Sequence, residues 1–193
     1  VIVDLGGSYK KVAALFPNDT AYITYEEGKS LGINPFLIES LTTDVLEELI
    51  EFISIHYKNE VALTEVELTS LRKIIELYYS KSPIKPSLPH FVKWVKINQN
   101  QFEGLDIKKE YFNIDEFLYL MSNYIDEGSY AFLYDENEEE ERFLSSDIKD
   151  KSIVIFELDK AKDNKLLLSL MLQLVASITN KMIWVDKSTR GVI

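Results

Sequence analysis

A carboxylate and two glycines follow the first apolar residues of the chain, in the order Val-Ile-Val-Asp-Leu-Gly-Gly-Ser at residues 1–8. Three apolar residues followed by glycines predict a buried strand that ends in a tight, phosphate-sized turn. The carboxyl end of a parallel strand faces the ligand crevice of an open α/β sheet, so Asp4 could lie beside a nucleotide. Asp4 could equally accept hydrogen bonds from the turn amides, and the sequence leaves both roles open. Gly6 and Gly7 are better explained by backbone geometry than by phosphate contact.

Two more side chains are candidates for a position near a nucleotide. Glu157 ends the apolar run at residues 153–156, at the same predicted sheet edge as Asp4, although a solvated strand-end acid is the simpler interpretation. Arg190 precedes a short apolar segment and could reach the nucleotide of a neighbouring subunit as an arginine finger does. A solvated turn residue is the ordinary alternative, because exposed arginines are common. No catalytic or metal-ligating residue is predicted.

The composition excludes several other kinds of chemistry. There is no cysteine, which rules out a disulfide framework, a thiolate nucleophile and a cysteine metal site. Of the two histidines, His56 is expected to be a surface residue or a residue of a helix C-terminus, and His90 has no acidic or cysteine partner at ligand spacing. A net charge of −11 argues against a strong nucleic-acid surface, which needs clustered lysine and arginine. The longest apolar run, at residues 166–176, is shorter than the ~20 residues that cross a bilayer.

The candidate residues lie in strand patterns at the two ends of the chain, with helix patterns between them. Residues 1–3, 21–25 and 153–156 predict strands, and residues 9–15 predict either a helix or the return arm of a hairpin. Capping signals predict helix starts in the central block, at Asp44 with Glu47, Thr64 with Glu67, Ser87, and Asn113 with Glu116. Gly128 is expected to end the last of these helices. A further helix from residue 163 or 164 to about residue 181 is apolar nearly all round, which predicts burial.

This order of elements predicts an α/β protein with a partial parallel sheet and a large, mostly helical insertion. We assign residues 1–38 and 148–193 to the core and residues 39–147 to the insertion, which includes a solvated acidic loop from residue 135 to 141. The last residues, Gly191-Val192-Ile193, resemble the start of another strand. Because the chain begins inside an apolar strand and ends in this way, we expect a piece of a longer protein.

The front motif is similar to the first phosphate motif of sugar kinases with the actin-like fold. That resemblance rests on the Asp-Leu-Gly-Gly-Ser turn at residues 4–8. It implies a second glycine-rich phosphate turn and a glycine-rich adenosine loop, whereas the remaining glycines are isolated. This resemblance therefore covers only the front of the chain.

A second resemblance covers most of the chain. It includes residues 1–9, Gly-Ile-Asn-Pro-Phe at residues 32–36, Gly-Ser-Tyr-Ala-Phe-Leu at residues 128–133, the apolar strand at residues 153–158 and the long apolar helix. These segments resemble the conjugative-transfer ATPases of type IV secretion systems, the TraG/TraC-like group of RecA-like P-loop proteins. In that family a P-loop precedes the first strand, a helical insertion follows the Asn-Pro-Phe turn, and the Walker B strand begins where residues 191–193 lie.

The resemblance implies a parent protein that uses ATP and Mg²⁺, assembles with other ATPase subunits as a hexamer, and energises DNA transfer with secretion-system components. It also implies a cytoplasmic location, with peripheral attachment at the inner membrane. The 193 residues contain no G-x-x-x-x-G-K-[ST] sequence, and the resemblance places the Walker B acids beyond residue 193. We therefore expect this piece alone to bind neither ATP nor Mg²⁺ and to be inactive.

An independently folded protein-interaction module, with an acidic and aromatic helical surface, is the non-enzymatic alternative. A P-loop encoded before Val1 and an acidic pair encoded after Ile193 would favour the ATPase. The aromatic residues Tyr78, Tyr79, Phe91 and Trp94 are interpreted as core or contact residues, because the acidic balance disfavours a base-stacking platform.

Overall fold

The chain forms two compact units. The computed structural model describes residues 1–59, 61–134, 148 and 151–183, with the backbone alone from residue 180 onward. One unit, here the sheet unit, comprises Val1–Ile33 and Asp135–Ile193, and the other, here the helical unit, comprises Asn34–Tyr134. The acidic run from residue 135, Arg190 and the predicted last strand lie outside the described residues.

The sheet unit contains a parallel sheet. Strands β1 (Ile2–Asp4), β2 (Thr20–Thr24) and β3 (Ile153–Glu157) lie in the order β1-β3-β2, and both pairings are parallel. Helix α1 (Lys10–Leu15) lies between β1 and β2 in the chain, and these two strands pair with opposite sides of β3 and not with each other. The segment after the glycine turn is therefore a helix and not a hairpin arm.

Strand β3 occupies the centre because its residues are apolar on both faces. Val154, Ile155 and Phe156 are all buried, which confirms the prediction of a strand covered on both sides. The sheet and the helical block together confirm the predicted α/β class with a partial parallel sheet and a largely helical middle.

Helix α6 (Lys165–Ile183) follows β3 in the sheet unit after a short 3₁₀ turn at Asp159–Ala161. It begins where the sequence predicts, because the Leu167 amide donates to the Asn164 side chain at 3.0 Å. The expected burial all round is wrong: Leu170, Met171 and Leu174 are buried, but Leu172 is 40% exposed. Over its described side chains, α6 thus has a buried side and a partly exposed one, as in an ordinary amphipathic helix.

The described residues of the helical unit form four α-helices and several short 3₁₀ turns. The helices are α2 (Thr43–Lys58), α3 (Glu65–Ser80), α4 (Leu88–Asn98) and α5 (Ile114–Met121). Three predicted caps are confirmed: the Thr64–Glu67 capping box, and the side chains of Ser87 and Asn113, which accept from the amides three residues on. The predicted cap at Asp44 is wrong. Thr42 caps α2, and Asp44 lies in the first turn, where its charge favours the positive helix end.

Gly128 does not end α5, as the sequence had suggested. The helix ends at Met121 and continues as a 3₁₀ turn, Ser122–Tyr124. A Cβ at Gly128 would overlap the backbone of Ser122 and Asn123. The glycine is therefore required where the chain folds back against the end of its own helix.

Aromatic residues form the core of the helical unit. Phe36, Tyr78 and Phe91 are buried, with ring centroids 5.1–6.4 Å apart, and Trp94 lies 5.4 Å from Tyr78. These positions confirm that Tyr78 and Phe91 are core residues. The Tyr79 hydroxyl donates to the Phe36 carbonyl at 2.7 Å, which ties α3 to the segment that precedes α2.

His56 lies in the last turn of α2, as one of the two expectations had it, but it is buried inside the helical unit, so the expectation of a surface position is wrong. Its Nδ1 donates to the Phe52 carbonyl at 2.6 Å, because a carbonyl can only accept. Its Nε2 then accepts from the Tyr134 hydroxyl. Burial lowers the pKa of His56 to about 4, against an opposing effect of the Phe52 carbonyl. The imidazole is therefore neutral near pH 7.

Candidate functional site

The register of the sheet brings the two acidic candidates together. Asp4 pairs with Glu157, and Glu157 pairs on its other side with Thr24, so the three strands end at the same edge. Paired residues of neighbouring strands point to the same face. Asp4 and Glu157 therefore lie side by side at the carboxyl edge of the sheet, where open α/β sheets bind their ligands.

The Asp4 carboxylate is buried and holds the turn that follows it. Its two oxygens accept from the Gly6 amide at 3.1 Å and from the Tyr9 amide at 2.8 Å. The Tyr9 amide contributes most to a lowered pKa of Asp4, and the Gly6 and Ser8 amides and the neighbouring Glu157 add to it against the opposing effect of burial. Hydrogen bonds to the charged form explain this direction. The turn-holding role proposed for Asp4 is thus present.

Glu157 is not the solvated acid that the sequence suggested, since it is 7% exposed. One carboxyl oxygen accepts from the Tyr22 hydroxyl at 2.9 Å, and the other accepts from the Asp159 amide at 3.0 Å. The central position of β3 explains the difference, because the end of this strand is flanked by β1 and β2. Glu157 links the strand ends to the 3₁₀ turn that precedes α6.

Tyr22 belongs to this site, and the sequence analysis missed it. Its register partner is Ile155, two residues before Glu157 and on the same face, which places the phenol within reach of the carboxyl group. Burial and then the hydrogen bond to Glu157 raise the pKa of Tyr22 to about 12. A tyrosine in a strand is an ordinary pattern, and only the pairing of β2 with β3 gives it this role.

The two candidate glycines differ in what their positions require. Gly7 has φ +64°, in the left-handed region, and a Cβ there would lie 3.6 Å from the Glu157 carboxyl oxygen. Gly6 does not have a positive φ, and a Cβ there would meet only the Ser8 hydroxyl at 3.9 Å. Backbone conformation therefore requires glycine at position 7 and not at position 6.

Gly7→Ala is expected to destabilise the chain by about 1–2 kcal/mol, because an L-residue is strained in the left-handed region. Gly6→Ala is the matched control and should change the free energy of unfolding by less than about 0.5 kcal/mol. Urea unfolding of both variants tests this difference. Equal effects of the two substitutions would show that Gly7 is not held in this conformation.

Asp4→Asn is expected to lower the free energy of unfolding at pH 7. The variant should also lose less stability than the parent chain between pH 7 and pH 3. The lowered pKa of Asp4 means that its contribution is present above the ordinary value of 3.8 and disappears as pH falls below it. Asparagine removes one of the two acceptor oxygens and does not titrate. The free energy of unfolding of parent and variant is measured at pH 7 and at pH 3. If both proteins lose the same amount of stability between the two pH values, the prediction is contradicted.

The chemistry of this edge is acidic. The Gly6 and Tyr9 amides, which would be needed to cradle a phosphate, are already bonded to the Asp4 carboxylate. Two carboxyl groups side by side also disfavour an approaching phosphate. Within residues 1–59, 61–134, 148 and 151–183, no three acidic or histidine side chains are placed to hold a metal ion. The two carboxyl groups thus hold the strand ends and the turns that follow them. Arg190, the remaining candidate, lies outside the described residues.

No helix in the described part of the chain combines the length and the apolar character needed to cross a membrane. The parallel sheet and the second, helical unit define a protein of the α/β class.

The chain belongs to the TraG P-loop domain family, whose profile matches residues 1–193. Among solved structures, it is similar to VirB4 of Thermoanaerobacter pseudethanolicus, at 15% sequence identity and a TM-score of 0.55. That similarity covers 93% of this chain and 69% of the VirB4 chain. A search of curated proteins gave no match. The family match confirms the resemblance to the TraG-like group, and the structural similarity supports the predicted partial RecA-like fold.

Proposed function

We propose that this chain is part of the ATPase of a conjugative type IV secretion system and that the 193 residues alone do not hydrolyse ATP. The observation that carries the proposal is a contrast: the P-loop domain family matches the whole chain, yet the chain has no G-x-x-x-x-G-K-[ST] sequence. In P-loop enzymes that loop and its lysine hold the phosphates, and Mg²⁺ is bound by its Ser/Thr and a Walker B acid. In the proposed whole protein, these parts would belong to segments outside this chain.

The carboxyl edge of the sheet supports the proposal that the phosphates are bound by other parts of the protein. Asp4 accepts from the Gly6 and Tyr9 amides of its own turn, and Glu157 accepts from the Tyr22 hydroxyl and the Asp159 amide. These groups position the strand ends beside the nucleotide and do not bind its phosphates. In the whole protein, Arg190 would serve the nucleotide of a neighbouring subunit, which requires a ring-shaped assembly such as a hexamer.

The setting of the whole protein follows from the same proposal. It would act in the cytoplasm, attached peripherally at the inner membrane, where it energises DNA transfer together with other secretion-system components. The helical unit would contact those components or neighbouring subunits, because it forms a compact unit of its own. Deletion of residues 39–127 is then expected to abolish assembly or transfer, and a deletion mutant that transfers DNA normally would refute this role.

Phosphate release from ATP tests the enzymatic proposal. The assay compares this chain with the longer protein that includes the segments on both sides, and with the longer protein whose P-loop lysine is replaced by alanine. We expect hydrolysis by the longer protein only, and loss of hydrolysis in the lysine variant. Hydrolysis by the 193-residue chain would refute the proposal. If the longer protein is inactive, the interaction module becomes the better account.

A further inference from the structure

The two ends of the helical unit meet on one side chain. The unit begins at Asn34 and ends at Tyr134. The rings of Phe36 and Tyr134 both pack edge-on against Phe52 of α2, with centroid distances of 6.2 and 6.1 Å. The incoming and outgoing segments of the chain therefore lie against the same buried ring, although about a hundred residues separate them.

The incoming segment is held by hydrogen bonds as well as by this ring contact. The Asn34 side chain accepts from the Phe36 amide at 3.0 Å and donates to the Pro86 carbonyl at 2.9 Å. The Phe36 carbonyl in turn accepts from the Tyr79 hydroxyl. The backbone N–H and the backbone carbonyl of Phe36 are thus both hydrogen-bonded, and its ring contacts Phe52.

The outgoing segment is held through His56, four residues after Phe52 on α2. The Tyr134 hydroxyl donates to His56 Nε2, and His56 Nδ1 donates to the Phe52 carbonyl. The Phe52 and His56 rings lie 4.2 Å apart. All the polar atoms of this arrangement are paired within the buried interior, so it is an ordered contact and not a loose hydrophobic one.

We propose that Phe36, Phe52, His56 and Tyr134 form a clasp that couples the two ends of the helical unit. When the outgoing segment moves away, Phe52 loses its contact with the Tyr134 ring. The packing of Phe36 on Phe52 is then weaker, so the incoming segment is held less firmly. Chain ends normally open with a low free energy, and mutual contact raises that cost for both. The clasp keeps the helical unit closed at the place where the chain enters and leaves it. This inference does not depend on the proposed ATPase function.

Amide hydrogen exchange of the full 193-residue chain tests the coupling. Tyr134→Leu perturbs the outgoing segment, and the exchange of the Phe36 amide, which donates to Asn34, reports on the incoming one. Phe102→Leu is the control, because Phe102 is also buried and its ring packs on Trp94. The two variants are compared at urea concentrations that give equal global stability.

At matched global stability, Tyr134→Leu should raise exchange at Phe36 roughly tenfold more than Phe102→Leu, which is the effect expected from loss of one aromatic contact. Equal exchange in the two variants would overturn the clasp. Should Tyr134→Leu fail to fold, Tyr134→Phe replaces it, since it keeps the ring and removes only the hydroxyl that donates to His56. A rise at Phe36 above the Phe102→Leu control then supports the coupling, and no rise overturns it.

Discussion

Phe36→Ala is expected to lower the free energy of unfolding by about 3–5 kcal/mol, as is usual when a buried phenylalanine is truncated to alanine. The ring is fully buried and contacts the rings of Phe52, Tyr78 and Phe91. The hydrogen bonds that hold its backbone limit how far the chain can collapse into the cavity. The Asn-Pro-Phe turn is thus an anchor for the helical unit.

Urea unfolding monitored by circular dichroism measures this effect, with Leu37→Ala as the matched control. Leu37 is the next residue and is 55% exposed, so its truncation should change stability by less than about 0.5 kcal/mol. An average substitution lowers the free energy of unfolding by about 1 kcal/mol. If Phe36→Ala costs no more than this, the Phe36 ring is not the centre of the core.

Acidification is expected to destabilise the helical unit through His56 by about 3 kcal/mol between pH 7 and pH 4, since each pKa unit is worth about 1.4 kcal/mol. The pKa of His56 is about 4 in the folded chain and 6.5 ordinarily. Between these values the unfolded chain binds the proton and the folded chain does not, so stability is full above 6.5 and falls as pH decreases. Tyr124 and Tyr134, the titratable side chains that pack on the ring, stay neutral across this range.

The free energy of unfolding measured at intervals from pH 7.5 to pH 4 tests this prediction in the parent chain and in His56→Gln. Glutamine cannot titrate, so the part of the slope that belongs to His56 should disappear in the variant, whatever its absolute stability. The contribution of Asp4 to stability is constant over most of this range and is lost only at lower pH, because the pKa of Asp4 lies below 3.8. Identical slopes in the two proteins would show that His56 is accessible to protons in the folded state.

Local signals predicted the elements of this fold well. The Thr64–Glu67 capping box, the Ser87 and Asn113 caps and the apolar run of β3 each act over a few residues, and the structure has all of them. The cap of α2 was misplaced by two residues, because Thr42 and Asp44 are both good N-cap residues. Such errors are typical at helix ends, where several nearby side chains can bond the same free amides.

The contacts that depend on distant parts of the chain could not be predicted. Glu157 looked solvated because nothing near it in sequence shows that β1 and β2 flank its strand. Tyr22 became part of the site only through its pairing with β3. The position of His56 near a helix end could be predicted, but its burial could not, because Tyr134, 78 residues later, covers it. The position of Arg190 beside a neighbouring subunit stays a prediction.

Calorimetric titration with Mg²⁺ and ATP is the measurement that tests the central claim most directly. It would be made on the 193-residue chain and on a longer protein extended through the segments in which we propose the P-loop and the Walker B acids to lie. We expect heat of binding for the longer protein only, because Asp4 already accepts from the Gly6 and Tyr9 amides and this chain has no G-x-x-x-x-G-K-[ST] loop. Binding of ATP by the 193-residue chain alone would contradict the account and would assign the phosphate site to the turn at residues 4–8.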